Sequence, residues 1–276
     1  GTVVELSSAG ELLHLLASAG VDMEPGALAR LVGELDNSAA NDALAMRHRD
    51  AWGRRLRAQP GSHGRGFLAT LRHADRAQAL LLLEQWGAQG HPTYPTYKAK
   101  LGMGEDQVTA WSPEFGARLH LVLAAIRRES VTISPGPAVP DYLEWFSEQW
   151  PEVACQWRAA LAQRGMEAGH WLPLPLHPWQ AANSVPARFA GLLQAGTLVL
   201  LDEVAWPAAP TMSFRTVACE RGAAVPHIKL PVSLWLTSAE RTVSPKSTAM
   251  GPRLTVLLCE MLAREPELHQ RLDVVD

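Results

Sequence analysis

In the first third of the chain, apolar residues recur three and four positions apart, the spacing that gathers them on one face of an α-helix. LLHLLASAG after Glu11, GALARLVGEL after Pro25, residues 39–58 and residues 74–87 all follow it. Ser8 with Glu11 reads as a capping box, and Pro25 as the opening residue of a helix, where its missing N–H costs nothing. Ser112-Pro113-Glu114 reads as a further helix start, leading into FGARLHLVLAAIRR. The segment from Tyr142 to Gly165 is helical by the same test, and Pro151 in its middle predicts a kink or a break.

From about residue 170 the apolar period shortens and proline and β-branched residues become frequent. HWLPLPLHPWQ, TLVLLDEV, TMSFRTVAC and VPHIKLPVSLWLT read as strands, with AWPAAP at 205–210 separating two of them. The imperfect alternation suits an antiparallel sheet better than crossover units. From Gly251 the pattern returns to helix. The expected fold is therefore α+β: a helical N-terminal region, 1–135, then an antiparallel-sheet region with flanking helices, 136–276. The division falls in the turn-rich stretch around SVTISPGPAVP.

Composition narrows the functional classes. With 276 residues and 47% apolar content the chain can bury a sizeable core. Its longest apolar runs, LHLVLAAI and ALLLL, fall far short of the roughly 20 residues that cross a bilayer. GTVVELSS at the start has no basic-then-apolar secretion pattern, so no membrane contact and a cytoplasmic location are expected. A net charge of -3 creates no general field for nucleic acid, so an anionic ligand has to be held by a local cluster of cations. Three widely spaced cysteines without a CxxC pair argue against disulfides and zinc, and are expected as buried thiols.

Four segments concentrate chemistry. In GHPTYPTYKAKLG, residues 90–102, two prolines forbid a helix and set His91, Tyr94, Lys98 and Lys100 on a stiff scaffold suited to phosphate or carboxylate. PLPLHPWQ places His177 between leucine and proline, where a packed, satisfied histidine is the ordinary outcome. In SFRT, Ser213 and Arg215 alternate along an expected strand with Thr216 beside them, a set of donors for phosphate oxygens. In HIKLPVSLWLTSAER, Lys229 falls on an apolar strand that would have to bury it, either against a carboxylate or facing a ligand cleft, and Arg241 closes the following turn.

Taken in order, GHPTYPTYKAKLGM with Glu84 upstream, LPLHPWQ, SFRT and KLPVSLWLTSAER resemble the IucA/IucC family of NRPS-independent siderophore synthetases. The chain departs from the family pattern at Tyr94, where the family has a second histidine, at Lys100 for arginine and at Met103 for phenylalanine. Tyrosine cannot act as a base near neutral pH, and lysine loses arginine's two-pronged grip.

The resemblance implies a cytoplasmic ligase of siderophore biosynthesis and iron acquisition. Such an enzyme uses ATP and Mg2+ to adenylate citrate or a related carboxylate, then condenses the acyl-adenylate with an amine, hydroxylamine or alcohol. It implies that Ser213, Arg215, Thr216, Lys229 and Lys98 bind the nucleotide. Arg241 and Thr237 would bind the carboxylate, and Arg241, Lys229 and His91 would serve catalysis. It allows a homodimer. The family's C-terminal palm-like domain, which completes the ATP and magnesium site, has no counterpart after Arg241, so the chain alone is expected to be a poor catalyst. The alternative is a binding module that holds nucleotide or carboxylate without chemistry. A kinase-like reading has no Gly-rich phosphate loop to support it.

Overall fold

The computed structural model describes residues 3–58, 67–91, 93–137, 139, 141–219, 227–269 and 271. Its helices are α1 (Ala9–Ser18), α2 (Pro25–Ala58), α3 (Phe67–His73), α4 (Arg76–Gly87), α5 (Glu105–Trp111), α6 (Tyr142–Gln149), α7 (Pro151–Gln163), α8 (Val185–Arg188), α9 (Ala190–Gln194), α10 (Pro245–Arg264) and α11 (Pro266–His269). Its strands are β1 (Lys100–Leu101), β2 (Leu119–Arg127), β3 (Trp171–Leu176), β4 (Leu198–Pro210), β5 (Thr216–Cys219), β6 (His227–Lys229), β7 (Val232–Leu236) and β8 (Ala239–Arg241). Every pairing with a described register is antiparallel, which makes this an α+β fold. No helix among the described residues is long and apolar enough to cross a membrane.

Two compact units divide the chain: residues 1–119 with 207–241, and residues 120–206 with 242–276. A division by compactness differs in kind from the linear division at 135/136, because the N-terminal helices share their unit with β5–β8.

In the first unit, α2 runs unbroken for 34 residues, longer than the two segments its periodicity suggests. Ser8 caps α1 by accepting from the Glu11 amide, while the Glu11 carboxylate reaches back to Ser7. Trp52, Leu56 and Leu82 form a small core between α2 and α4. The last residues of β4 pair with β5, and β5 with β6; β7 lies between β1 and β8 in a separate three-stranded sheet.

In the second unit, β2 lies beside β3 in register from Val122↔Leu176 to Arg127↔Trp171. This corrects the helix expected after Ser112. Only a single 3-10 turn forms at Pro113–Phe115, and LHLVLAAIR is a strand. Its leucines at 119, 121 and 123 bury one face by alternation, and pairing with β3 overrides the helical propensity of Leu and Ala. AWPAAP does not separate two strands either; β4 runs through it to Pro210, with Ala208 and Ala209 opposite Cys219 and Ala218. Pro151 does break the helix, opening α7 as its first residue. Fully buried Trp157, Trp206, Phe146 and Leu161 make the core here, with the Trp150 and Trp206 rings 4.8 Å apart. The expected burial of all three thiols holds for Cys219 alone, since Cys155 and Cys259 are exposed.

His177 is fully buried in this unit, its Nδ1 accepting from the Trp179 amide at 3.1 Å. Desolvation pushes its pKa down from 6.5 to about 3, so the folded chain keeps the ring neutral. Below pH 6.5 the unfolded chain takes up a proton that the folded chain refuses, so stability falls as pH falls until about pH 3. Urea titrations should show a loss of about 2 kcal/mol between pH 6.5 and 5. His177→Asn, which keeps an acceptor for Trp179, should flatten that part of the profile.

Candidate functional site

The proline-rich segment with its two lysines is held still by turns and by bonds to α2. Pro92 lies outside the described residues. Beyond it, Tyr94-Pro95-Thr96-Tyr97 closes as a turn, the Tyr97 amide donating to the Tyr94 carbonyl at 3.2 Å. Lys100-Leu101-Gly102-Met103 forms a second turn, with Gly102 at φ 96°, which an L side chain resists.

Between these turns the segment is strung along a polar stripe of α2. Ser38 Oγ donates to the Pro95 carbonyl at 2.7 Å and accepts from the Lys98 amide. Asn41 Nδ2 donates to the Lys98 carbonyl at 2.9 Å, and Asn37 Oδ1 accepts from the Lys100 amide at 2.7 Å. Glu34, one turn earlier, accepts from the Trp235 indole at 2.8 Å. Residues 34, 37, 38 and 41 share a helix face, so one surface of α2 satisfies both the motif and β7. Sequence reasoning missed this stripe. Its signal is a run of polar residues, ELDNSAAND, on the side of a helix that then proves buried.

The two lysines are the buried cations of the region, at 4% and 6% exposure. Lys98 Nζ meets Asp42 at 3.0 Å and donates to the Gln89 carbonyl. Lys100 Nζ meets Glu114 at 2.6 Å, with both side chains shielded from water. Neither is the solvated lysine of an ordinary connector. Lys229, by contrast, is exposed on β6, which corrects the expectation that its strand buries it. Its ammonium makes no ion pair or hydrogen bond among the described residues.

These segments enclose a cavity of about 330 Å³ within the first unit. Ser213, Arg215, Thr216, Lys229, Thr237 and Arg241 line it, together with Lys98 and Lys100 from the motif. SFRT is not the alternating strand that its pattern suggests. Thr211 to Thr216 is the turn between β4 and β5, and only Thr216 lies on a strand, in register with Lys229. Phe214 sits at φ 66° in that turn, with the Arg215 amide donating to the Ser213 carbonyl at 2.8 Å. Glu84 anchors the turn by accepting from the Met212 amide at 3.1 Å. Arg215 is partly buried and donates to the Arg241 carbonyl. Burial, and then the Arg241 charge, push its pKa down. Two guanidiniums held near each other and a free ammonium store repulsion that an anion relieves.

Thr237 is the second strained residue of the cavity wall. β7 and β8 are joined through Thr237 and Ser238, since Leu236 lies opposite Ala239. Thr237 adopts φ 60° at the first loop position, where glycine is usual. A β-branched residue there costs on the order of 1–3 kcal/mol and persists only when its surroundings hold it. The Thr237 amide donates to the Ala99 carbonyl at 3.0 Å, and the Thr237 hydroxyl accepts from the Arg241 guanidinium.

Two expected residues fall elsewhere. His91 is exposed beside a neighbouring hollow with Tyr94, Pro95 and Asp42, its ring 5.6 Å from that of Tyr97, and it does not line the cationic cavity. His177 belongs to the second unit. Two lining residues escaped the sequence reading: Glu114, taken for a helix start, and Tyr97. The Tyr97 hydroxyl is shielded from solvent without a hydrogen-bond partner among the described residues, and burial, then Glu114 and Glu84, push its pKa up to about 12. Among the described residues, no group of three or more His, Cys, Asp or Glu could hold a metal ion.

Comparisons with known proteins identify the family. The profile of the IucA / IucC family matches residues 79–276. The protein y4xN of Sinorhizobium fredii, called uncharacterized, is 42% identical over 251 residues, 90% of this chain and 40% of that protein. Staphyloferrin A synthase of Staphylococcus aureus is 30% identical over 203 residues, 72% of this chain and 34% of that protein. Among solved structures, petrobactin biosynthesis protein AsbB of Bacillus anthracis superposes with a TM-score of 0.75 at 22% identity, covering 96% of this chain and 40% of that one. ATP-bound aerobactin synthetase IucA of Klebsiella pneumoniae gives 0.68 at 21%, covering 93% and 43%. The chain thus spans between 34% and 43% of each of these proteins. Its four ordered motifs and the profile match over residues 79–276 make it a member of the IucA / IucC family.

Proposed function

We propose that this chain is the nucleotide- and carboxylate-gathering part of a siderophore synthetase that adenylates citrate or a related carboxylate and passes the acyl group to an amine, hydroxylamine or alcohol. One observation carries the reading: Arg215 before β5, Lys229 on β6 and Arg241 on β8 line one cavity. ATP and a polycarboxylate repel each other, and only converging cations can bring them to reacting distance.

In this reading Ser213, Arg215, Thr216 and Lys229 hold the phosphates, and Arg241 with Thr237 orients the carboxylate. The carboxylate oxygen attacks the α-phosphorus, and the bond to the bridging oxygen breaks with pyrophosphate leaving. The nucleophile then attacks the acyl carbon, AMP departs with the electron pair, and the nucleophile's proton is released. The cavity's cations offset charge that builds on the α-phosphate. Lys98 acts from behind: its ammonium already serves Asp42 and Gln89, so it shapes the wall. His91, beside the neighbouring hollow, orders the motif through its rings. The donors of the cavity fit phosphate and carboxylate; they offer magnesium no ligand set, so magnesium would enter with the nucleotide.

Relatives named as a citryl-spermidine/3,4-dihydroxybenzoyl-citryl-spermidine:spermidine ligase and a D-ornithine–citrate ligase support an amine as nucleophile. The test is citrate-dependent exchange of labelled pyrophosphate into ATP, run on the chain alone and on a protein carrying the further length of its relatives. Exchange is expected only in the longer protein. Its absence from both, with citrate and ATP still bound in calorimetry, would establish the binding-module alternative.

A further inference from the structure

Tyr94, the departure from the family pattern that the proposed chemistry leaves unused, stands at a mechanically informative place. Its hydroxyl donates to Ser238 Oγ at 2.6 Å, across 144 positions of sequence. Ser238 is the second residue of the loop whose first residue, Thr237, is held at φ 60°. The base of Tyr94 is fixed: its carbonyl closes the turn to Tyr97, and the carbonyl of the next residue, Pro95, accepts from Ser38 on α2. The His91 ring meets the Tyr94 ring edge-on at 6.0 Å, which limits its swing. The loop is therefore gripped from two sides, by Ala99 through the Thr237 amide and by Tyr94 through Ser238.

We propose that Tyr94 is a positioning residue: its hydroxyl clasps the β7–β8 loop and so fixes Thr237 and the Arg241 guanidinium at the cavity wall. The link is short. Thr237 Oγ1 accepts from Arg241, so a loop that relaxes out of its left-handed conformation carries that acceptor away and releases the guanidinium. A phenylalanine at 94 would pack equally well and hold nothing. The inference rests on the proposed function for its ligand half only; the clasp itself is a statement about the loop.

Two readouts test it on the chain as it stands. In Tyr94→Phe, exchange of the Thr237 amide hydrogen, followed by NMR without ligand, should quicken about fivefold, while amides of α4 and β2 keep their rates. In calorimetry, citrate should bind about fivefold more weakly, with ATP affinity within twofold. Ser238→Ala should match it, and the double variant should lose no more than either single one, because both remove the same bond. Unchanged exchange at Thr237, additive single effects, or equal weakening of citrate and ATP would each overturn the clasp. If the parent chain binds no citrate, the proposed function fails, and exchange alone still decides whether the clasp exists.

Discussion

Replacing Lys100 by methionine is expected to destabilise the first unit by about 3–5 kcal/mol. Lys100 and Glu114 face each other at 2.6 Å with side-chain exposures of 7% and 2%. Removing the ammonium leaves Glu114 as a buried charge without its counterion. The carboxylate must then draw water inward. Urea denaturation near neutral pH should show the loss as a lowered midpoint at an unchanged slope. A double replacement, Lys100→Met with Glu114→Leu, should recover most of it, because two apolar side chains of similar volume avoid the desolvation of both ions. If Lys100→Met alone shifts stability by under about 1 kcal/mol, the pair is not buried in solution. The methionine should also cost less than this at Lys98, whose partner Asp42 is half exposed and can return to water.

Arg241→Ala should weaken citrate binding about 30-fold, equivalent to about 2 kcal/mol, the usual worth of a hydrogen bond between charged groups. Calorimetry with citrate on the chain reads it directly. The side chain does two jobs: it supplies charge to the cavity, and it donates to Thr237 Oγ1, which helps hold that residue in its strained conformation. Arg241→Lys keeps the charge and loses the fork, and should recover less than half of the loss in free energy. ATP affinity should move far less, because Ser213 and Arg215 belong to the turn before β5 and Thr216 opens that strand. Equal losses for both ligands would mean that Arg241 supports the cavity as a whole and contacts neither ligand selectively.

Much of the helical framework is legible in the sequence because its signals are local. Pro25 opens α2, Pro151 opens α7 and Ser8 caps α1, each through φ restriction or a bond within four residues. The strand β2 was not legible. LHLVLAAIR suits helix and strand about equally by composition, and what decides is the pairing with β3, more than forty positions away. The same division runs through the site. Lys229 could be singled out because a cation on an apolar strand is conspicuous, Arg215 and Arg241 through their short polar motifs, and Thr237 only through the resemblance to the family. The groups that hold Lys98 and Lys100 could not, because Glu114 reads locally as the start of a helix and Asn37, Ser38 and Asn41 lie some sixty positions away on α2.

By itself the sequence determined the family, the stiff proline-bearing scaffold and the identity of the cations, all of which are properties of neighbouring residues. Only the tertiary structure decided which cations are spent and which are available. Lys98 and Lys100 are consumed by Asp42 and Glu114, while Lys229 stays unengaged at the cavity with Arg215 and Arg241. The physical reason is that the cost of a charge depends on what lies within a few ångströms of it, and that neighbourhood is assembled by folding from residues far apart along the chain.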